Sequence, residues 1–130
     1  MIKGLSWVGT RTDRFSDLAM FYREAMGLEV DHEEEDFAVF KLPDGSKVEV
    51  FGPSDQDHTH FDSGPVPGFE VYDIEAARER LEAGGAEFVG PIQRWEPTGE
   101  AWSHFRAPDG NIYELTQKGR RKGVRQREAG

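Results

Sequence analysis

Residues 40–50, FKLPDGSKVEV, recur as residues 105–115, FRAPDGNIYEL, later in the same chain. Five positions are identical in the two segments (Phe, Pro, Asp, Gly and Glu), and the spacing between them is constant at 65 residues. A shorter match lies upstream, where GLEV at 27–30 resembles GAEF at 85–88 at a spacing of 58 residues. Two copies with a period of about 60 residues are too few and too long for a solenoid, so the repeat predicts one pseudo-symmetric domain.

The order of elements is the same in both copies. The first copy has a strand, then a helix N-capped by Ser16 and ended by Gly27, then three strands, the last two joined by Pro-Asp-Gly. The fold class is therefore α+β, with βαβββ modules at residues 1–52 and 66–117 and a polar linker at 53–65. The predicted elements are strands at 5–11, 28–32, 37–41, 47–51, 66–71, 87–89, 101–106 and 111–116, helices at 16–26 and 74–83, and a longer second-copy loop at 91–99.

Composition limits the classes of partner. Residues 118–130 hold six basic residues and one acid, which leaves 10 basic and 24 acidic residues, a formal charge of −14, in residues 1–117. Because residues 1–117 are so acidic, they repel the phosphate backbone of nucleic acids, and we expect no nucleic-acid binding. We interpret residues 118–130 as a flexible basic tail. The absence of cysteine excludes disulfides and thiolate metal sites. No apolar run approaches the roughly 18 residues of a membrane span, and no signal peptide is evident, so we expect a cytoplasmic protein without membrane contact.

The repeated glutamates, Glu49 and Glu114, follow the two Pro-Asp-Gly turns. If Asp-Gly forms the centre of each turn, each glutamate faces the phenylalanine that begins its repeat. Ser103 then shares the face of Glu114, whereas His104 lies on the opposite face. A buried acid is costly unless something pairs with it, so two acids at symmetric positions favour a shared cavity over a solvent-exposed sheet edge.

Residues 7–22, WVGTRTDRFSDLAMFY, followed by Gly27-Leu28, resemble the opening of the vicinal-oxygen-chelate superfamily. PDGNIYEL at 108–115 resembles its closing strand pair, and the likeness covers residues 3–117. The resemblance implies a glyoxalase/bleomycin resistance/dihydroxybiphenyl dioxygenase-like fold, in which two βαβββ modules form an open mixed-sheet barrel around a ligand or metal site. It also implies a homodimer.

Metal-dependent members of this superfamily take ligands, typically histidines and glutamates, from the first and fourth strands of each module. The resemblance assigns Glu49 and Glu114 to the fourth-strand positions, and Trp7 and Val66 to the first-strand positions. Indole and isopropyl groups do not coordinate metals, and two carboxylates without a histidine make a poor binding site for Zn²⁺, Fe²⁺ or Ni²⁺. We therefore predict no metal and no other cofactor. His58 and His60 in the linker are alternative ligands, although such a pair in a polar linker is most often exposed to solvent.

Two main hypotheses follow for function. The first is binding of a small organic ligand in an apolar cavity without a complete metal site, as in the antibiotic-sequestering proteins that this pattern resembles. The second is a lyase, isomerase or dioxygenase-like enzyme in which Glu49 or Glu114 is a catalytic general base, or in which an atypical metal site operates. A partner-interaction role is a third alternative. The residues predicted to line the ligand site are Trp7, Glu49, Val66, Trp95 (as a lid), Trp102, Ser103 and Glu114.

Overall fold

The computed structural model describes residues 1–62 and 64–119. The chain divides into two compact units, the first comprising residues 5–68 and the second comprising residues 1–4 with the chain from residue 69 onward. Most of the predicted basic tail, residues 120–130, lies outside the described residues. In the described part of the chain, no helix is both long and apolar enough to cross a membrane.

The first unit has the predicted strand, helix, strand, strand, strand order. Its elements are β1 (Ile2–Arg11), α1 (Phe15–Met20), a π-helical turn (Phe21–Ala25), β2 (Glu29–Glu34), β3 (Phe37–Lys41) and β4 (Lys47–Phe51). The strand order is β2-β3-β4-β1, in which β1 and β4 run parallel and the other neighbours run antiparallel. The helix covers one sheet face, where Ala19 packs into a core with Ala38, Phe40 and Val50. The opposite sheet face is therefore available for other side chains.

The first helix begins at Phe15, so the predicted capping role of Ser16 is wrong. Arg14 is the N-cap residue and its side chain makes no capping hydrogen bond. Its backbone N–H donates instead to the Thr12 hydroxyl oxygen at 3.0 Å. The helical segment ends near Gly27, whose φ of 68° lies in the left-handed region that glycine adopts without strain.

The second unit repeats the order with β5 (Val66–Val71), α2 (Ile74–Ala83), β6 (Glu87–Trp95), β7 (Glu100–Arg106) and β8 (Ile112–Gln117). Its strand order is β5-β8-β7-β6, with antiparallel pairing of β7 to both neighbours. Asp73 caps α2, because its carboxylate accepts the Ala76 N–H at 3.1 Å. The core beneath this helix contains Val71, Ile74, Ala77, Ala101, Phe105 and Leu115.

The segment at 91–99, predicted as a loop, is mostly strand. β6 continues to Trp95, and Gln93 pairs with Trp102 on β7. The pairing shifts register between Val89 and Gln93, which lets the strand pass Pro91, a residue with no N–H to donate. Only residues 96–99 form the turn.

Both hairpin registers differ from the predicted pairing by one residue. Glu49 pairs with Val39, and Glu114 pairs with His104, rather than with the phenylalanines that begin the repeats. Because side chains alternate along a strand, Ser103 moves to the face covered by α2 and His104 joins the face of Glu114. The predicted faces of Ser103 and His104 are therefore wrong.

The turn geometry explains this difference of one residue. In the first hairpin the Gly45 N–H donates to the Leu42 carbonyl oxygen at 3.0 Å, so Pro43 and Asp44 are the two central turn residues. Gly45 follows with a φ of 89°, as in a turn that ends in a one-residue bulge, and Gly110 has a φ of 87° at the same place in the second hairpin. Proline fixes its φ near the value that the first central position needs, so Pro-Asp, not Asp-Gly, occupies the centre.

Candidate functional site

The sheet face of the first unit opposite its helix carries a cluster of aromatic side chains. Trp7, Gly9, Glu49 and Phe51 share this face, because side chains alternate along a strand and Gly9 pairs with Glu49 between parallel β1 and β4. Phe61 joins them from the segment after β4, with its ring centroid 6.0 Å from that of Trp7 and 6.2 Å from that of Phe51. The three rings are buried, whereas Glu49 is half-buried. We call Trp7, Glu49, Phe51 and Phe61 the aromatic face.

The indole of Trp7 folds across the backbone of Gly9. A Cβ built on Gly9 would lie 2.0 Å from Cη2 of Trp7, so the ring occupies the space that any larger residue would need. Because Gly9 pairs with Glu49, the indole lies over the strand next to Glu49, and adjacent strands are about 4.8 Å apart. Trp7 and Glu49, both predicted from the sequence to line the ligand site, thus lie on the same face of adjacent strands.

We expect Gly9→Ala to lower the free energy of unfolding by about 2 kcal/mol, because the added methyl group must displace the indole. Gly84→Ala is the control, since a Cβ there meets only ordinary contacts at 3.5 and 3.6 Å and should change stability by about 0.5 kcal/mol or less. Urea denaturation measures both variants. Equal stability of the Gly9 variant and the parent protein would contradict this position of Trp7.

His58 packs against the aromatic face, so the predicted solvent exposure of this linker residue is wrong. Its imidazole stacks on the Phe51 ring, with 3.8 Å between centroids and 16° between planes. The Asp55 carboxylate accepts the His58 backbone N–H at 2.8 Å and lies 2.9 Å from its Nδ1. Arg11 on β1 donates to the carbonyl oxygens of Pro53 and Asp55 at 3.2 Å each. These bonds tie the linker to the sheet and fix the imidazole.

The second unit contains a buried histidine–glutamate pair. Nε2 of His104 lies 2.9 Å from Oε2 of Glu114, and the residues are 8% and 4% exposed. Burial lowers the pKa of His104 to about 4, so its imidazole is neutral at pH 7 and donates Nε2–H to the carboxylate. Sequence reasoning missed this pair because the predicted register placed His104 on the other face.

The other predicted ligand-site residues differ in burial and in the sheet face that they occupy. Trp102 is partly buried on the face that carries the histidine–glutamate pair. Ser103 is buried on the helix-covered face, where Nη1 of Arg78 lies 3.5 Å from its hydroxyl oxygen. Val66 is buried at the start of β5, and Trp95 is 53% exposed at the end of β6. The structure therefore separates Ser103 from Glu114 within the second unit.

The available donor atoms do not fit the metal site that the resemblance implies. The first-strand positions hold buried Trp7 and Val66, which offer no coordinating atom. The Glu114 carboxylate already accepts a hydrogen bond from His104. Across residues 1–62 and 64–119, no group of three or more histidine, aspartate or glutamate side chains is placed to hold a metal ion.

The βαβββ order occurs twice, and the chain shares its fold with a glyoxalase/bleomycin resistance protein/dioxygenase superfamily member. The glyoxalase-like domain family matches residues 7–116, and the chain belongs to this family. The superfamily and the fold class predicted from the sequence are confirmed. No curated protein matches the sequence.

Three solved structures illustrate the likeness in fold. Methylmalonyl-CoA epimerase from Mycobacterium tuberculosis is 20% identical, with a TM-score of 0.70 over 91% of this chain and 89% of that chain. A glyoxalase/bleomycin resistance protein/dioxygenase superfamily member from Vibrio splendidus is 20% identical, with a TM-score of 0.64 over 91% and 99%. A methylmalonyl-CoA epimerase variant from Streptomyces coelicolor, in complex with 2-nitronate-propionyl-CoA, is 19% identical, with a TM-score of 0.65 over 91% and 99%. These TM-scores show a common fold.

Proposed function

We propose that this protein binds a small organic molecule at the aromatic face without a transition metal, and sequesters that molecule rather than transforming it. The observation that carries this proposal is the Trp7 indole, which lies over Gly9 on the strand next to Glu49. In metal-dependent members that the sequence resembles, this first-strand position supplies a metal ligand. An indole supplies a large apolar surface and no metal donor, which favours an organic ligand such as an antibiotic.

Charge favours a cationic or neutral ligand over an anionic one. Glu49 is half-buried beside the aromatic rings, and residues 1–117 carry a formal charge of −14. A carboxylate near apolar groups forms strong charge-assisted hydrogen bonds with ammonium groups, and aromatic faces attract cations. We therefore propose a ligand with an aromatic or aliphatic body and a basic or hydrogen-bonding group.

Two aromatic probes of similar size and opposite charge test this proposal. In a ¹H–¹⁵N NMR titration, 4-methylbenzylamine should bind at least about tenfold more tightly than 4-methylbenzoate, because a charge-assisted bond contributes roughly 1.5–3 kcal/mol. The indole N–H signal of Trp7 should shift, whereas in parallel ¹H–¹³C spectra the methyl signals of Val48 and Val50 on the helix-covered face should not. Glu49→Gln should remove the preference for the amine. Tighter binding of the benzoate, or shifts confined to the helix-covered core, would contradict the proposal.

A second candidate is an enzyme that uses Glu49 as a general base in a lyase or isomerase reaction. It is favoured by the difference between the two glutamates, since Glu114 is buried against His104 whereas Glu49 is only half-buried. Deuterium exchange into methylmalonyl-CoA, the substrate class named by the epimerases of similar fold, measures proton abstraction directly. If Glu49 is the general base, the Glu49→Gln substitution should lower the rate of deuterium exchange by about 100-fold relative to the parent protein. A sequestering protein shows no exchange above the buffer rate.

We further propose a homodimer in the cytoplasm, which rests on the resemblance to the superfamily and on the sequence. Sedimentation equilibrium at micromolar concentration should give twice the chain mass of 14.7 kDa, because open sheets of this class commonly complete themselves with a neighbouring copy. A mass equal to that of one chain would contradict the dimer.

A further inference from the structure

We propose that residues 53–61 form a strap that closes over the aromatic face, and that Asp36 is the positioning residue that latches this strap to the β2–β3 turn. This inference rests on the proposed function, because it assigns how access to the same ligand site is controlled. Asp36 lies outside the first-strand and fourth-strand positions that the family resemblance assigns to ligands.

Strap residues cover the rings that the ligand is proposed to contact. Trp7, Phe51 and Phe61 are only 8%, 4% and 5% exposed, so little of their surface is open to a ligand. His58 stacks on Phe51 with 3.8 Å between ring centroids, and Phe61 packs edge-to-face against Trp7 at 6.0 Å. A ligand that contacts Trp7 or Phe51 from this side must displace these strap residues. The closed strap therefore competes with the ligand.

Asp36 holds the start of the strap through its backbone and its side chain. Its carbonyl oxygen accepts the Gly52 N–H at 2.8 Å, and its carboxylate oxygen Oδ2 accepts the Ser54 N–H at 2.9 Å. A Cβ built on Gly52 would collide with Oδ1, so glycine leaves the room that the carboxylate occupies. Hydrogen bonds from the side chain and the backbone of Ser54 lower the pKa of Asp36, which keeps this acceptor charged at neutral pH.

The backbone of Asp36 has an uncommon conformation. Its φ of 65° is the only positive value for a non-glycine residue within residues 1–62 and 64–119. Aspartate tolerates this left-handed region better than most residues, yet the conformation costs free energy that surrounding contacts must offset. The bonds to residues 52 and 54 supply part of that offset. The conformation of Asp36 is thus coupled to the closed position of the strap.

A series of short turns connects the latch to the rings. The Gly52 carbonyl oxygen accepts the Asp55 N–H at 3.1 Å, and the Asp55 carboxylate accepts the His58 N–H at 2.8 Å. The His58 carbonyl oxygen in turn accepts the Phe61 N–H at 3.0 Å. Because Asp36 fixes the first of these turns, its loss should raise the fraction of molecules in which the strap is open.

This fraction determines the apparent affinity for a ligand that binds only when the strap is open. The apparent dissociation constant equals the intrinsic constant divided by the open fraction. A change that raises the open fraction should therefore tighten binding by the same factor, even though it lowers the stability of the closed protein. A purely structural residue behaves differently, because its loss lowers stability without improving binding.

Hydrogen exchange measures the opening of the strap. Asp36→Gly tolerates a positive φ and removes the carboxylate, so the amides of His58 and Phe61 should exchange about fivefold faster relative to the paired amides of β3 and β4. Asp36→Asn keeps an acceptor oxygen and should resemble the wild-type protein. Asp44→Gly is the matched control, because it removes the same charge and a carboxylate bond to the Ser46 N–H that stays inside the β3–β4 hairpin.

Titration with 4-methylbenzylamine tests whether this opening controls binding. The amine should bind about fivefold more tightly to Asp36→Gly than to the wild-type protein, whereas the urea midpoint of the variant should fall. Asp44→Gly should not tighten binding. Unchanged or weaker binding by Asp36→Gly, or equal acceleration of the strap and β-strand amides, would overturn the strap and leave binding at the aromatic face intact.

The remaining outcomes separate this inference from the proposed function. Failure of the amine to bind both the wild-type protein and Asp36→Gly would overturn the proposed function, and the control of access with it. Should Asp36→Gly fold poorly, Ser54→Ala gives the decision, because it removes the side-chain hydrogen bond to Asp36 and keeps residue 36 itself. It should raise strap exchange and affinity by about twofold. No change in either quantity would overturn the strap.

Discussion

Glu114→Leu is expected to lower the free energy of unfolding by about 3 kcal/mol, because it removes the buried hydrogen bond between the Glu114 carboxylate and the His104 imidazole. His104→Leu should cost a similar amount, since it removes the same hydrogen bond from the buried carboxylate. The double variant should be more stable than either single variant, because both polar groups are then removed together. Urea denaturation at pH 7 gives all three values.

Glu49→Leu is the matched control for this double-mutant cycle. Glu49 occupies the repeat position equivalent to that of Glu114, but it is half-buried and its cross-strand partner is Val39. We expect its loss to cost less than about 1 kcal/mol. Additive effects of the changes at His104 and Glu114 would contradict the coupling between the two side chains.

Acid is expected to destabilise the folded protein by about 3 kcal/mol between pH 6.5 and pH 4 through His104 alone. Burial lowers the pKa of His104 from 6.5 to about 4, so in this window the unfolded chain binds a proton that the folded chain does not. Stability from this residue is therefore complete above pH 6.5 and is lost as the pH falls toward 4.

Glu114 faces His104 and accepts its hydrogen bond, so the control must keep a donor for this carboxylate. His104→Gln does so, because an amide N–H can replace Nε2–H without titrating. Denaturant midpoints at several pH values should fall less steeply between pH 6.5 and 4 in this variant than in the parent protein. Parallel curves would show that His104 does not stay neutral in the folded protein.

The repeat was sufficient to predict the order of elements in both units. Strands at 37–41, 47–51 and 66–71 and the helix at 74–83 have the predicted bounds, because each combines an apolar pattern with turn or capping residues at both ends. Segments without such boundaries were predicted less well. Residues 91–99 contain proline and glycine, which indicate a loop, yet cross-strand pairing with β7 extends the strand as far as Trp95.

The faces of the site residues were harder to predict than the strands themselves. A shift of one residue in the register of a hairpin moves every side chain of a strand to the opposite face of the sheet. The register depends on the turn, and the position of proline within Pro-Asp-Gly decides which residues form the centre of that turn. The repeat also implied equal roles for Glu49 and Glu114. The structure breaks this symmetry at one cross-strand position, where Val39 lies opposite one glutamate and His104 lies opposite the other.

The Asp55–His58 pair was missed because a polar, breaker-rich segment ordinarily indicates a solvated linker. Its packing depends on Phe51 and Phe61, which flank the polar residues and belong to the aromatic face. A phenylalanine on each side of a histidine was the available signal. Only the tertiary contact shows that the linker folds back onto the sheet.

The central claim is that an organic ligand binds at the aromatic face without a metal, and calorimetric titration of chelator-treated protein with 4-methylbenzylamine tests it most directly. The same titration is repeated after Zn²⁺ is added, and mass spectrometry measures metal in the purified protein. Trp7 and Val66 offer no coordinating atom, so we predict no stoichiometric metal and the same affinity for the amine in both titrations. One retained equivalent of zinc, nickel or iron, or binding of the amine only after Zn²⁺ is added, would contradict the claim.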